Sequence, residues 1–255
     1  MTKLHALRAG RGPRLLLLHG IGASATAWDK QMARLAADFT CLAPDLPGYG
    51  DSPSPVGEGL TPILDAVVDL LDEEPSHVLG VSFGALLALA LAHYHPRLVR
   101  SLVLADATLG RAYLADRERE KWLQGRLGLS QSLQTISMQR AAEIAAPGAS
   151  TQIVEEIARH MRRARPDGYM AVAKTIAATD ARPWLASIQA PTLVLCGEDD
   201  QVTGAAVSQT LADSLSCASL HTIPNAGHAP HIEQPDEFAR VVQEFLRGRE
   251  RQSSW

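Results

Sequence analysis

The stretch Gly80-Val81-Ser82-Phe83-Gly84 sets a serine between two glycines, after an apolar run at 77–81 and before an alanine- and leucine-rich run at 83–94. In a strand-to-helix turn this G-x-S-x-G pattern is a nucleophile elbow, which presents the serine hydroxyl above the sheet. The glycines are required because side chains two residues either side of the serine would clash in so sharp a turn. An ordinary turn with Ser82 capping the next helix would use the same residue types. The chemistry therefore depends on partners elsewhere in the chain.

A serine hydroxyl is a weak nucleophile near neutral pH and needs a base to take its proton as it attacks. Nine histidines are available. His5 and His221 sit in apolar strand patterns, and His93, His95 and His160 fall in or at the ends of helical patterns, so these five read as structural or solvated. His228 stands in "IPNAGHAPHIEQPDEF", after a short loop that follows the last predicted strand and precedes the final helix. That position predicts the same sheet edge as Ser82. His231 follows Pro230 and leads into the helix, which makes it the weaker candidate.

The acid that holds the imidazole in the right tautomer should come from another strand end. Glu198, Asp199 and Asp200 follow one predicted strand, and Asp106 ends another, "SLVLAD"; strand-end position alone leaves all four open. The oxyanion formed by attack on a carbonyl needs preorganised donors. The backbone N–H of Phe83 supplies one, and the glycine-rich turn in "LHGIG" (residues 18–22) could supply a second.

The elements that would position these groups are legible as alternating runs. Apolar stretches at 14–20, 39–45, 77–81, 99–106, 192–199 and 219–224 predict strands buried on both faces, as parallel strands are. Helical patterns lie between or after them at 28–37, 60–71, 83–94, 205–215 and 236–247, which predicts a parallel sheet covered by helices. From about 109 to 185 only helical patterns occur: "YLADREREKWLQGRLG", "QRAAEIAA", "TQIVEEIARHMRRAR" and "DGYMAVAKTIAA" read as successive helices. Ligands of open α/β sheets bind at the carboxyl edge of the strands, so this insertion predicts a lid over that edge. The expected division is a core of 1–108 and 186–255 with a lid of 109–185, and "RGRERQSSW" reads as a frayed tail.

Length and composition narrow the function classes. A chain of 255 residues can bury a substantial core. A net charge of −4 gives no electrostatic reason for a nucleic-acid or anionic-membrane partner. Three dispersed cysteines, Cys41, Cys196 and Cys217, argue against a disulfide framework or a structural zinc site and fit a reducing compartment. The N-terminal apolar run, Leu15 to Leu18, is shorter than a signal-peptide core, and the longest apolar stretch is far below a bilayer span. A cytoplasmic protein acting on a small molecule, without cofactor or metal, is expected.

"HGIG", "DLPGYGDS", "GVSFG", "PTLVLCGEDDQVT" and "AGHAPHIEQP", in this order and spacing, resemble the α/β-hydrolase superfamily over nearly the whole chain apart from the lid. The resemblance implies a mostly parallel central sheet flanked by helices, with a helical lid inserted between sheet strands. It implies Ser82 as nucleophile, Asp200 as acid with Asp199 and Asp106 as fallbacks, and His228 as base. Ile21 and Phe83 would supply the oxyanion N–H groups, and His19 would be a turn residue.

A serine at the elbow excludes the dehalogenase and epoxide-hydrolase chemistry that uses an aspartate there. The sequence is similar to 3-oxoadipate enol-lactonases of aromatic catabolism, and "RPDGYMAVAKTIAATD" belongs to that likeness. The related meta-cleavage C–C hydrolases usually carry a glycine-proline-glycine turn where this chain has Gly22-Ala23-Ser24. An ester or lactone hydrolase is therefore expected, with C–C bond hydrolysis and a non-catalytic binding protein as alternatives. If the substrate is a small carboxylate, lid arginines could bind it: Arg111, Arg126 or the run at 159–165, with Trp122 beside them in the pocket. Otherwise the arginines are a solvated face and Trp122 packs the lid.

Overall fold

The computed structural model describes residues 3–253. Seven strands form one sheet: β1 (Ala6–Ala9), β2 (Arg14–Leu18), β3 (Thr40–Pro44), β4 (Ser76–Val81), β5 (Val99–Ala105), β6 (Thr192–Gly197) and β7 (Ala218–Ile223). Their spatial order is β1-β3-β2-β4-β5-β6-β7. All pairings are parallel except β1 with β3.

Alternation along the strands divides the core between the two faces. Leu16 and Leu18 of β2 join Val78 and the helices α2 (Leu60–Leu71), α3 (Phe83–Tyr94) and α7 (Ala205–Ser214) on one face. Leu15 and Leu17 join Leu79 and Val81 on the other, under α1 (Asp29–Leu35) and the C-terminal helix. Helix α3 is apolar on every side and every residue from Phe83 to Ala92 is buried, as a helix enclosed between sheet and neighbours must be.

Between β5 and β6 the chain builds three helices, α4 (Asp116–Ile144), α5 (Thr151–Met161) and α6 (Pro166–Ala178), which form the lid. After β7 come a single turn, α8 (Pro230–Glu233), and the closing helix α9 (Pro235–Ser253). No helix among the described residues is long and apolar enough to cross a membrane.

Three expectations change. The first is β1, a four-residue strand whose ALRA sequence has no periodicity to read; it is defined by antiparallel pairing to β3. The second is the lid's opening segment, which forms one 29-residue helix where two were expected. Gly125 and Gly128 are tolerated inside it at about 1 kcal/mol each relative to alanine, and no other group packs within 4 Å of where either Cβ would stand. The third is the tail, where helix continues to Ser253. Arg247 there binds Asp38 at 2.6 Å and Glu250 binds the buried His77 at 2.9 Å, so these residues are anchored to the body; Ser254 and Trp255 lie outside the described residues.

Candidate active site

The sheet register explains why the site forms where it does. Val81 pairs with Ala105, Ala105 with Leu195, and Gly197 with Ile223, so β4 to β7 end along one edge. Ser82, Asp106, Asp200 and His228 all follow those ends. Neighbours β2 and β4 lead away in opposite directions, to β3 and to β5, making the crevice between them the topological switch point where α/β sheets bind ligands.

Ser82 has φ 56° and ψ −113°, a conformation costly for a residue with a side chain. The flanking glycines permit it. A Cβ on Gly80 would stand 2.2 Å from the Gly84 carbonyl oxygen, and one on Gly84 would stand 2.0 Å from that of Leu18. The Ser82 N–H donates to the Ala105 carbonyl at 2.9 Å, while its side chain makes no capping bond to α3. This separates the turn from an ordinary capped one.

Across the cavity, His228 Nδ1 and Asp200 Oδ1 are hydrogen-bonded at 3.0 Å. Oδ1 also accepts from Val202 N–H at 2.8 Å, and Oδ2 accepts from the Thr203 hydroxyl at 2.6 Å and Gly204 N–H at 3.1 Å. Burial alone would raise the Asp200 pKa, but His228 and these donors outweigh it and hold the carboxyl below its ordinary value. The remaining ring nitrogen of His228 is Nε2, and both His228 and Ser82 line one cavity of about 100 Å³. Ser82, Asp200 and His228 are each only 8% exposed.

The alternative acids are differently engaged. Glu198 is exposed and accepts from Asn225 N–H at 3.2 Å, and Asp199 makes no side-chain hydrogen bond among the described residues. Asp106 sits beside Asp200: one ligand atom from each of Asp106, Asp200 and His228 lies within 4.8 Å of the other two. It is fully buried, its Oδ1 accepts from Gly197 N–H at 2.8 Å, and its Oδ2 has no hydrogen-bond partner among the described residues. Burial, and next the Asp200 charge, push its pKa well above the ordinary value, which favours the protonated form of Asp106.

His231 also lines the cavity, but it is packed against Trp28 and has no acid partner among the described residues. Burial pushes its pKa down to about 3. His19 is buried and tied down: Nδ1 donates to the Gly20 carbonyl at 2.9 Å while Nε2 accepts from Leu46 N–H at 3.1 Å. It locks the turn that holds Ile21. A Cβ on Gly20 would stand 3.2 Å from the Ser82 Cβ, so this turn lies against the serine. Phe83, as the first residue of α3, has an N–H without an intrahelical acceptor. The Ile21 N–H donates to no acceptor among the described residues.

Two contributors were not singled out from the sequence. Glu233 is buried; Oε1 accepts from Gly227 and Ala229 N–H at 3.0 and 3.1 Å, and Oε2 accepts from Ala146 N–H at 2.7 Å. It ties the His228 loop to the end of lid helix α4. His160, read as structural or solvated, lines the cavity and bonds Thr26 Oγ1 at 3.0 Å. An i, i+4 apolar stripe along α5 signals which residues face inward, but not what they face.

The lid arginines are engaged in different ways. Arg162, Arg163 and Arg165 bind Ser137, Asp51 and the carbonyls of Gly50 and Ser52, clasping the lid helices to one another and to the loop after β3. Arg159 pairs with Glu156, and Arg111 and Arg126 instead line the cavity with Trp122, as does Arg140, which is paired with Glu143.

A seven-stranded sheet with a helical insertion after β5 and candidate catalytic groups at its carboxyl edge is the architecture of an α/β hydrolase. A profile of the alpha/beta hydrolase family matches residues 15–241, and the chain belongs to that family. It is 32% identical to a pimeloyl-[acyl-carrier protein] methyl ester esterase of Chromobacterium violaceum, over 93% of this chain and 95% of that protein. It is 27% identical to 3-oxoadipate enol-lactonase 2 of Acinetobacter baylyi, over 92% and 89%. With 2-hydroxymuconate semialdehyde hydrolase of Pseudomonas sp. strain CF600 the identity is 33%, over 96% and 90%.

Proposed function

We propose that this hydrolase cleaves a small carboxylic ester or lactone through an acyl-enzyme on Ser82. The observation that carries the reading is the strained Ser82 turn opening on the same cavity as the Asp200-bound His228. In this reading His228 Nε2 takes the Ser82 proton as Oγ attacks the carbonyl carbon. Asp200 keeps the proton of the neutral imidazole on Nδ1 and stabilises the imidazolium that forms. The N–H groups of Ile21 and Phe83 receive the oxyanion. Collapse transfers the proton from His228 to the leaving alcohol, and the acyl group remains on Ser82. His228 then deprotonates a water that attacks the ester carbon, and the acid leaves as Ser82 regains its proton.

A cavity of about 100 Å³ suits a short acyl group. The enol-lactonase relative supports an enol-lactone of aromatic catabolism as substrate. A second reading, hydrolysis of a C–C bond in a meta-cleavage product, is favoured by the semialdehyde hydrolase relative and uses the same three residues.

Labelling with a fluorophosphonate should modify the wild type and leave Ser82→Ala unmodified; equal labelling would remove Ser82 as nucleophile. A panel of an aryl ester, an enol-lactone and a meta-cleavage dienoate then separates the readings. Turnover of the dienoate alone would overturn the ester or lactone assignment.

A further inference from the structure

The cavity carries positive charge that neither the fold nor the acyl-transfer steps use. Arg111 leaves the loop after β5, anchored by its own N–H donating to the carbonyls of Ile176 and Thr179 at 2.8 and 2.9 Å. Arg126 projects from α4. The two guanidinium carbons lie 4.8 and 4.7 Å from the centre of the same Trp122 ring. Among the described residues the Arg111 side chain makes no hydrogen bond and that of Arg126 makes one, to the Tyr169 hydroxyl at 3.3 Å; neither has a carboxylate partner there. Of the acids on the same helix, Asp116 binds Arg119, Glu118 the Ala115 N–H and Glu143 binds Arg140, while Glu120 is exposed and bonds neither arginine. The Trp122 Nε1–H is buried without an acceptor among the described residues.

Half-buried like charges held over one ring repel each other, and burial followed by the Arg126 charge lowers the Arg111 pKa. Such a pair is stabilised by an anion placed between its members. A guanidinium fork matches a carboxylate through two parallel N–H···O bonds. All three side chains line the cavity that contains Ser82 and His228, so an anion held by them would be part of the molecule being cleaved.

Building on the hydrolase reading above, we propose that the substrate's acyl portion bears a free carboxylate, received by Arg111 and Arg126 across Trp122 while its ester or lactone carbonyl faces Ser82. The substrate class is then the half-ester of a short dicarboxylic acid, or a lactone carrying a carboxylate arm.

The test compares kcat/KM for monomethyl glutarate with that for methyl hexanoate, a neutral ester of similar length. The wild type should favour the anionic ester at least tenfold. The double variant Arg111→Gln/Arg126→Gln should lower that ratio at least tenfold, and Arg111→Lys/Arg126→Lys should recover part of it. Equal handling of the two esters by the wild type, or an equal loss on both in the glutamine variant, overturns the proposal. Calorimetric binding of glutarate to Ser82→Ala supplies a readout free of turnover. It should be saturable, and lost when the two glutamine substitutions are added. Arginine-dependent glutarate binding with no ester turnover would sink the hydrolase reading and leave the anion site standing. Ser82-dependent turnover of the neutral ester with no glutarate binding would do the reverse.

Discussion

The backbone N–H of His228 donates to the carbonyl of Ile144 at 2.7 Å, so the last residue of lid helix α4 is bonded directly to the proposed base. Glu233 reinforces the junction by accepting from Ala146 on the lid side and from Gly227 and Ala229 on the loop side. Glutamine at this position keeps one acceptor oxygen and turns the other into a donor facing an N–H. Leaving a buried donor unsatisfied costs about 1–3 kcal/mol. Glu233→Gln should therefore lower Tm by about 2–12 °C for a domain of this size, and should reduce kcat as the His228 loop loosens. Calorimetry and ester kinetics on the same preparation check both; unchanged Tm would remove Glu233 as the tie.

Asp200 and Asp106 predict opposite outcomes for the same isosteric change. With Asp200→Asn, the new amide would present an N–H or a poorer acceptor to His228 Nδ1 and would release the tautomer. By analogy with buried triad acids, this substitution should cost about 10³–10⁴-fold in kcat. Asp106→Asn instead keeps the acceptor for Gly197 N–H and places an uncharged amide near the Asp200 carboxylate without touching the bond between Asp200 and His228, so its effect on kcat should be far smaller. A pH signature separates it further. Between the ordinary carboxylate pKa and its raised folded value, the folded protein holds a proton on Asp106 that the unfolded chain has lost, so stability falls as pH rises through that window. The Tm advantage of Asp106→Asn over wild type should grow as pH is raised above the ordinary carboxylate value of about 4. A constant difference would contradict a raised Asp106 pKa.

How much of this was legible in the chain depends on how local each feature is. Gly80, Ser82 and Gly84 lie within five residues, and their types follow directly from the geometry of one turn. Strand ends predicted a shared edge for His228 and four candidate acids, and only the resemblance to the hydrolase family singled out Asp200, because the loops that aim these side chains are not readable. β1 escaped because four residues paired only at the sheet's edge leave no pattern. The continuity of α4 escaped because the first helical pattern stopped at Gly128, while packing against α5 and α6 holds the helix through it. The lid arginines could be listed as candidates, but tertiary packing sorted them: Arg162, Arg163 and Arg165 became clasps, and Arg111 and Arg126 reached the cavity.

His160 makes the lid's docking sensitive to acid. Its ring, 3% exposed, joins α5 to Thr26 in the 3-10 turn (Ala25–Trp28) that leads into α1. Burial first, then the charges of Arg159, Arg163 and Lys30, push its pKa from 6.5 down to about 4. The sign follows from proton uptake: between those values the unfolded chain binds a proton that the folded protein does not, so stability is full above 6.5 and is lost as pH falls toward 4. At about 1.4 kcal/mol per unit, the loss attributable to this one ring is about 3 kcal/mol. Buried His231 works in the same direction, with a folded value near 3, so removing His160 should reduce the acid slope without abolishing it. Urea midpoints at pH 7, 5.5 and 4.5 should fall steeply for wild type and less steeply for His160→Gln, which has no group titrating there. If the two slopes coincided, His160 would not be the neutral, buried group that its contacts make it.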